Sequence, residues 1–192
     1  MMTSPIPKPT KLNKSFCGGP GGGFLEKSPL VAEGKVIDPQ YVSMGAREKK
    51  HIDGMEILSI QSTAGGNRLG FLVSVDGLVI FYADSHGYWQ KDQWEAYTAE
   101  IDFLSNEQAS HIDIAFLPIP GSGSTMTQEQ RVEFEKGIHY AVEKLGPGLV
   151  FPLVSEGDEY TGIEFAGEAS SKKIAARVFC PARRGDRFIY RR

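Results

Sequence analysis

The chain has 192 residues, of which 41% are hydrophobic and 23% charged, the balance of an ordinary globular domain long enough to bury a core. A formal charge of -3 excludes a broad electrostatic pull toward nucleic acid or an anionic membrane. No stretch approaches the roughly 20 apolar residues that span a bilayer, and two distant cysteines, Cys17 and Cys180, give neither a disulfide framework nor zinc-knuckle spacing.

Residues 1–24 carry Pro5, Pro7 and Pro9 and then the run GGPGGG. Proline removes backbone donors and glycine raises the entropy cost of ordering, so a flexible leader is expected, followed by an extended linker over 25–39. The division expected is therefore a Pro/Gly-rich leader and linker over 1–40 and one domain over 41–192. The glycine run lacks the preceding strand and the Gly-Lys-Ser/Thr of a phosphate loop. Lys8, Lys11 and Lys14 have no apolar segment behind them, so no secretory signal is expected and the cytoplasm is the expected location.

Residues 41–82 read as a meander of about five strands, over 41–44, 49–52, 55–60, 69–75 and 78–82. Asp53-Gly54 and Asp76-Gly77 mark hairpin turns, because a type I′ turn needs two residues that tolerate positive φ. The second hairpin, RLGFLVSVDGLVIFYADSHG, ends in Asp84, Ser85 and His86. A carboxylate where a buried strand stops is well placed for chemistry, since the strand end is rigid and the following loop is open.

Trp94, Tyr97, Ile101 and Leu104 share one face of a helix over 90–106. The run at 111–119 is apolar on both alternations, as a central strand requires. A second helix covers 128–145, opened by a Thr127/Gln130 capping box and stopped by Gly146-Pro147. Residues 149–153 then form a strand parallel to the one before. An acidic loop, VSEGDEY, leads to a shorter helix over 161–176 with Ile163, Phe165 and Ala166 inward. Segments 177–180 and 187–190 read as closing strands, and Arg183, Arg184, Arg187, Arg191 and Arg192 as a solvated basic tail without stacking aromatics.

Four local patterns in this order resemble the second half of a metallo-β-lactamase fold, particularly the ascorbate-phosphate-lactonase-like hydrolases. They are the hairpin ending in Asp84, the strand IDIAFLPIPG, the helix leading into GLVFPLVSEGDEY, and the final helix with PARRGDRFIY. The resemblance implies an α/β (α+β) fold: a partial sandwich whose mixed sheet joins a meander to strand–helix–strand units, with helices on one face. It also implies a hydrolase whose two divalent metals activate a shared water.

The family's His-x-His-x-Asp-His cluster has no counterpart, since the histidines are His51, His86, His111 and His139. Its next histidine would fall near Gly66 and its last near Val154. Of the usual ligand set Asp84 remains. Asp84 and His86, two apart, could share an ion and serve as catalytic and metal residues. Glu156, Asp158 and Glu159 on the acidic loop could line the same cleft and bind. Such oxygen-rich donors would suit a hard ion such as magnesium, calcium or manganese better than zinc. Two readings stay open: a hydrolase of phosphoesters or lactones, truncated or degenerate, and a non-catalytic binding module, or pseudoenzyme, on the same scaffold. A small-molecule substrate is the expected partner. Half of a two-sheet sandwich would leave an apolar sheet face uncovered, so either residues 25–36 cover it or the chain is a homodimer through that face.

Overall fold

A computed structural model describes residues 14–18, 30–32, 35–37, 40–108, 111–121, 126–154, 159–181, 183 and 186–191. The chain order is β1 (Lys14–Gly18), β2 (Leu30–Ala32), β3 (Lys35–Ile37), β4 (Gln40–Met44), β5 (Lys49–Ile52), β6 (Met55–Gln61), β7 (Leu69–Val75) and β8 (Leu78–Tyr82). After these come α1 (Trp94–Glu107), β9 (Ile114–Pro118), α2 (Gln128–Leu145), β10 (Leu149–Leu153), α3 (Glu159–Glu168) and β11 (Arg177–Val178).

Seven strands make one mixed sheet in the order β11-β10-β9-β8-β7-β6-β5. From β5 to β8 the pairing is antiparallel, and β8, β9, β10 and β11 are parallel. The antiparallel half follows from its turns. Asp76 and Gly77 take φ of 50° and 77°, which supplies the mirror-image turn that matches strand twist and sets Val75 opposite Leu78. The parallel half follows from its helices, since each crossover must leave the sheet and return.

α2 forms as its caps dictate. Thr127 and Gln130 exchange side-chain and backbone bonds at the start, and Gly146 ends the helix in the left-handed region at φ 55°. Phe134, Ile138, Ala141, Val142 and Leu145 then lie on its buried face. Together with Tyr97, Ile101 and Leu104 of α1 they meet Leu72, Phe81, Ala115 and Val150 of the sheet in one core. Among the described residues no helix is long and apolar enough to cross a membrane.

Three expectations change. The 41–82 stretch is five strands, but β4 leaves the meander and pairs in parallel with β1, while β2 and β3 pair with each other. The final helix is shorter than its pattern suggests, and Phe165 alone of the three expected inward residues is buried, because Ile163 lies on the exposed side. The closing segments contribute only β11, and 187–190 runs beside the sheet without entering it.

The second sheet face is covered in pieces. Met44 and Val42 pack with Ile57, Leu69, Phe71 and Val73 at one end. At the other, Phe188 meets Phe151 edge-on with ring centres 5.2 Å apart. Between them Tyr82 is 41% exposed.

Candidate functional site

The parallel strands β8, β9 and β10 all end on the same side of the sheet, where ligand sites of open α/β sheets form. There the chain turns sharply. Ala83 N–H donates to Phe116 carbonyl, continuing the ladder, and His86 N–H donates back to Ala83 carbonyl at 2.8 Å. Asp84 takes φ 51° inside that turn, a conformation aspartate tolerates better than most residues.

The turn aims Asp84 at a guanidinium. Ser85 Oγ donates to Asp84 Oδ2 at 2.7 Å, and Arg68 Nη1 donates to Ser85 Oγ at 2.7 Å. Arg68 Nη1 itself stands 3.8 Å from Asp84 Oδ2. Two loops are clamped together around this triplet: Gly87 N–H donates to Thr63 Oγ1 at 3.1 Å, Gln93 Nε2 to Thr63 carbonyl at 3.1 Å, and Trp89 Nε1 to Ser85 carbonyl at 2.8 Å.

His86 goes the other way, into the core. Its ring is buried and stacks on Tyr97 at 4.8 Å between centres. Neither ring nitrogen has a hydrogen-bond partner among the described residues. Burial pushes its pKa down to about 4, against a weaker upward pull from the backbone of Tyr97 and Gln61. The imidazole is therefore neutral at pH 7. A void of about 10 Å³ beside it, closed by Leu117, Pro118, Phe134 and Ile138, is about the size of one water.

No hydrogen bond joins Asp84 to His86, although the sequence places them two apart. Glu156, Asp158 and the side chain of Glu159 lie outside the described residues. His51 is exposed and reaches Glu56 at 3.0 Å, His111 is exposed, and His139 is half-buried on α2. Among the described residues no group of three or more His, Cys, Asp or Glu is placed to hold an ion. Among the described residues the donor set at the strand end does not fit a dinuclear centre: it offers one carboxylate, already facing a fixed positive charge. Arg68 is the site residue that sequence reasoning missed.

Beside this turn lies a cleft of about 240 Å³ between α2 and α3. Ile119, Phe134, Ile138 and Phe165 make its apolar floor, and Gln128, Arg131, Glu135, Thr161, Glu164 and Lys172 its polar walls. Lys172 is engaged by Glu135 and, at 3.6 Å, by Glu168.

No protein-family model matches the chain, and no curated protein does. Solved structures similar to it include CmlA, a diiron β-hydroxylase from Streptomyces venezuelae, at 10% identity and a TM-score of 0.45 over 73% of this chain and 33% of that one. The metallo-β-lactamase fold protein YhfI from Bacillus subtilis gives 6% identity and 0.45 over 76% and 55%. A structure from Thermotoga maritima, titled as a Zn-dependent hydrolase of the metallo-β-lactamase superfamily, gives 12% and 0.40 over 67% and 58%. Proteins of the fold that the sequence resembles are thus among the structures similar to this chain. The chain spans between about a third and somewhat over half of their length.

Proposed function

We propose that the chain is a binding module on a hydrolase-like scaffold, a degenerate relative of the two-metal enzymes its sequence resembles. The observation that carries this reading is the triplet Arg68–Ser85–Asp84. A strand-end carboxylate serves a dinuclear hydrolase by holding divalent cations next to a water. Here the carboxylate accepts a hydroxyl proton at 2.7 Å and has a guanidinium 3.8 Å away. A divalent ion approaching Asp84 would compete with the hydroxyl for Oδ2 and would be repelled by Arg68. The nearest imidazole in sequence is buried against Tyr97 and offers nothing to that ion.

The test is elemental analysis of the purified protein, followed by assays on a phosphodiester and a lactone with added zinc, manganese or magnesium. The expected result is metal well below one ion per chain and no turnover above that of free metal. Stoichiometric metal that Asp84→Ala abolishes, together with turnover, would establish the hydrolase reading instead.

A further inference from the structure

We infer that the β11 edge of the sheet, with residues 186–191 beside it, binds single-stranded nucleic acid. This surface is three strands from β8, at whose end Asp84 stands, and is independent of how that carboxylate is read.

Positive charge is concentrated here. Residues 177–192 hold six arginines, no lysine and one acidic residue, Asp186, a formal charge of +5. The whole chain totals -3, so residues 1–176 carry -8. A modest net charge therefore hides a polarised chain, and its basic end attracts a polyanion that the average charge does not. Arg177, Arg183, Arg187 and Arg191 are exposed, and none of these four side chains has an ion-pair partner among the described residues. Asp186 Oδ2 accepts from the Arg183 N–H at 2.9 Å, which ties that carboxylate to the backbone of its own loop. Every cation in the segment being arginine bears on the partner. A planar guanidinium meets phosphate with two parallel N–H donors and stacks on flat rings, which a compact ammonium does not.

The sequence reads as a basic tail without stacking aromatics, but the structure brings two rings to it. Phe179, directly after β11, is 42% exposed and Phe188 is 44% exposed, with ring centres 5.9 Å apart. Phe188 sits edge-on against buried Phe151, which stacks in turn on Phe116 at 5.4 Å. Two residues on, the Tyr190 hydroxyl donates to Asp113 Oδ1 at 3.1 Å and fastens the segment beyond the ring. The rings are backed by the sheet and open in front, so little ordering is left for a bound base to impose. Arg187, Ile189 and Arg191 alternate with the two anchored residues and are exposed, which sets cations on both sides of Phe188.

A single strand matches both features. Each base offers a flat face to a ring, and the phosphates on either side of it offer oxygens to the arginines. A duplex keeps its base faces stacked inside, and an acidic peptide has none to offer.

Fluorescence anisotropy of the full chain with labelled oligothymidylate and oligouridylate of about 20 nucleotides, at about 50 mM salt, tests this. Binding at micromolar concentration is expected, weakening as salt rises and weaker for a duplex of equal length. Arg187→Gln combined with Arg191→Gln should lower the slope of log affinity against log salt by about 1.4, at about 0.7 for each phosphate contact on a single strand. Phe179→Leu and Phe188→Leu keep the apolar bulk and remove the flat face. Each should weaken binding about tenfold and leave the salt slope unchanged. No binding at about 100 µM protein overturns the inference. Binding that both leucine variants leave unchanged also overturns it, since any polyanion would then serve, as does tighter binding to phosphatidylserine vesicles than to either oligonucleotide. Metal bound at Asp84 would overturn the proposed function and leave this result intact.

Discussion

Arg68 and Ser85 face each other at the open end of the β7–β8 hairpin, and the guanidinium donates to the serine hydroxyl at 2.7 Å. Ser85 Oγ donates in turn to Asp84 Oδ2, so a charge in one loop is fastened to a carboxylate in another through a single hydroxyl. The arrangement is held by geometry on both sides. The hairpin fixes which residues are opposed, and the left-handed turn at Asp84 swings its carboxylate back toward Ser85.

A first prediction concerns that carboxylate. Asp84→Asn keeps an oxygen for the Ser85 hydroxyl and removes only the charge that faces Arg68. The pair is partly open to solvent, with side-chain exposures of 62% and 33%, so screening leaves the charge worth less than about 1 kcal/mol. The melting temperature should move by no more than about 4 °C. Calorimetry checks this. A much larger drop, accompanied by loss of bound metal, would mean that Asp84 anchors an ion and not an arginine.

The strands, both major helices and their caps were readable because each rests on local chemistry. Two-residue turns need Asp-Gly, capping needs Thr127 and Gln130, and a buried helix face needs spacing of three and four. Arg68 was readable too. With Asp76-Gly77 as the turn, Val75 opposes Leu78, and equal steps outward along both strands bring Arg68 opposite Ser85. What could not be read was the direction of His86. Whether a residue after a strand end faces the loop or the core depends on helix α1, whose Tyr97 supplies the stacking surface from elsewhere in the chain. The departure of β4 was hidden for a similar reason. Its partner β1 lies in a stretch whose prolines and glycines read as a leader.

The buried imidazole gives a second prediction. Above pH about 6.5, His86 is neutral in both the folded and unfolded chains and affects stability little. Between about 6.5 and the folded value of about 4, the unfolded chain takes up a proton that the folded chain refuses. Stability should therefore fall as pH drops through this window, by an amount on the order of 3 kcal/mol once both values are passed. Urea denaturation at a series of pH values measures it. His86→Leu should flatten that part of the profile, and an unchanged profile would place the acid sensitivity elsewhere.

The far end of the sheet supplies a third. Asp113 is fully buried just before β9, with Oδ2 accepting from Val79 N–H at 2.8 Å and Oδ1 from Tyr190 hydroxyl at 3.1 Å. Tyr190→Phe removes one hydrogen bond and leaves the carboxylate otherwise held, at a cost of about 1 kcal/mol. Asp113→Ala leaves the Val79 donor buried without that partner and should cost about 2 to 4 kcal/mol. Hydrogen exchange should show the tail from 186 onward loosening in both variants, and β8 and β9 only in the second. Equal effects from the two substitutions would show that Asp113 does no more than tether the tail.

The middle of the second sheet face, where among the described residues Tyr82 is 41% exposed, gives the last. Register places Phe71, Tyr82, Phe116 and Phe151 in one row across β7, β8, β9 and β10, and Val73, Ile80, Ile114 and Leu149 in the next. The helix core lies on the other face, so these rows point away from it, and neither carries a charge. Tyr82 leaves apolar ring surface in water, at a cost of roughly 25 cal/mol per Å². A face without charge can meet its own copy about a two-fold axis with no like-charge penalty, so a second copy of the chain is the occupant we propose. Sedimentation velocity at micromolar concentration should show a dimer. Tyr82→Lys, which sets an ammonium in the centre of the row, should yield monomer with unchanged far-ultraviolet circular dichroism, since Tyr82 is already 41% exposed in the single chain. Wild-type protein that sediments as a monomer throughout the micromolar range would rule out a second copy as the cover for Tyr82.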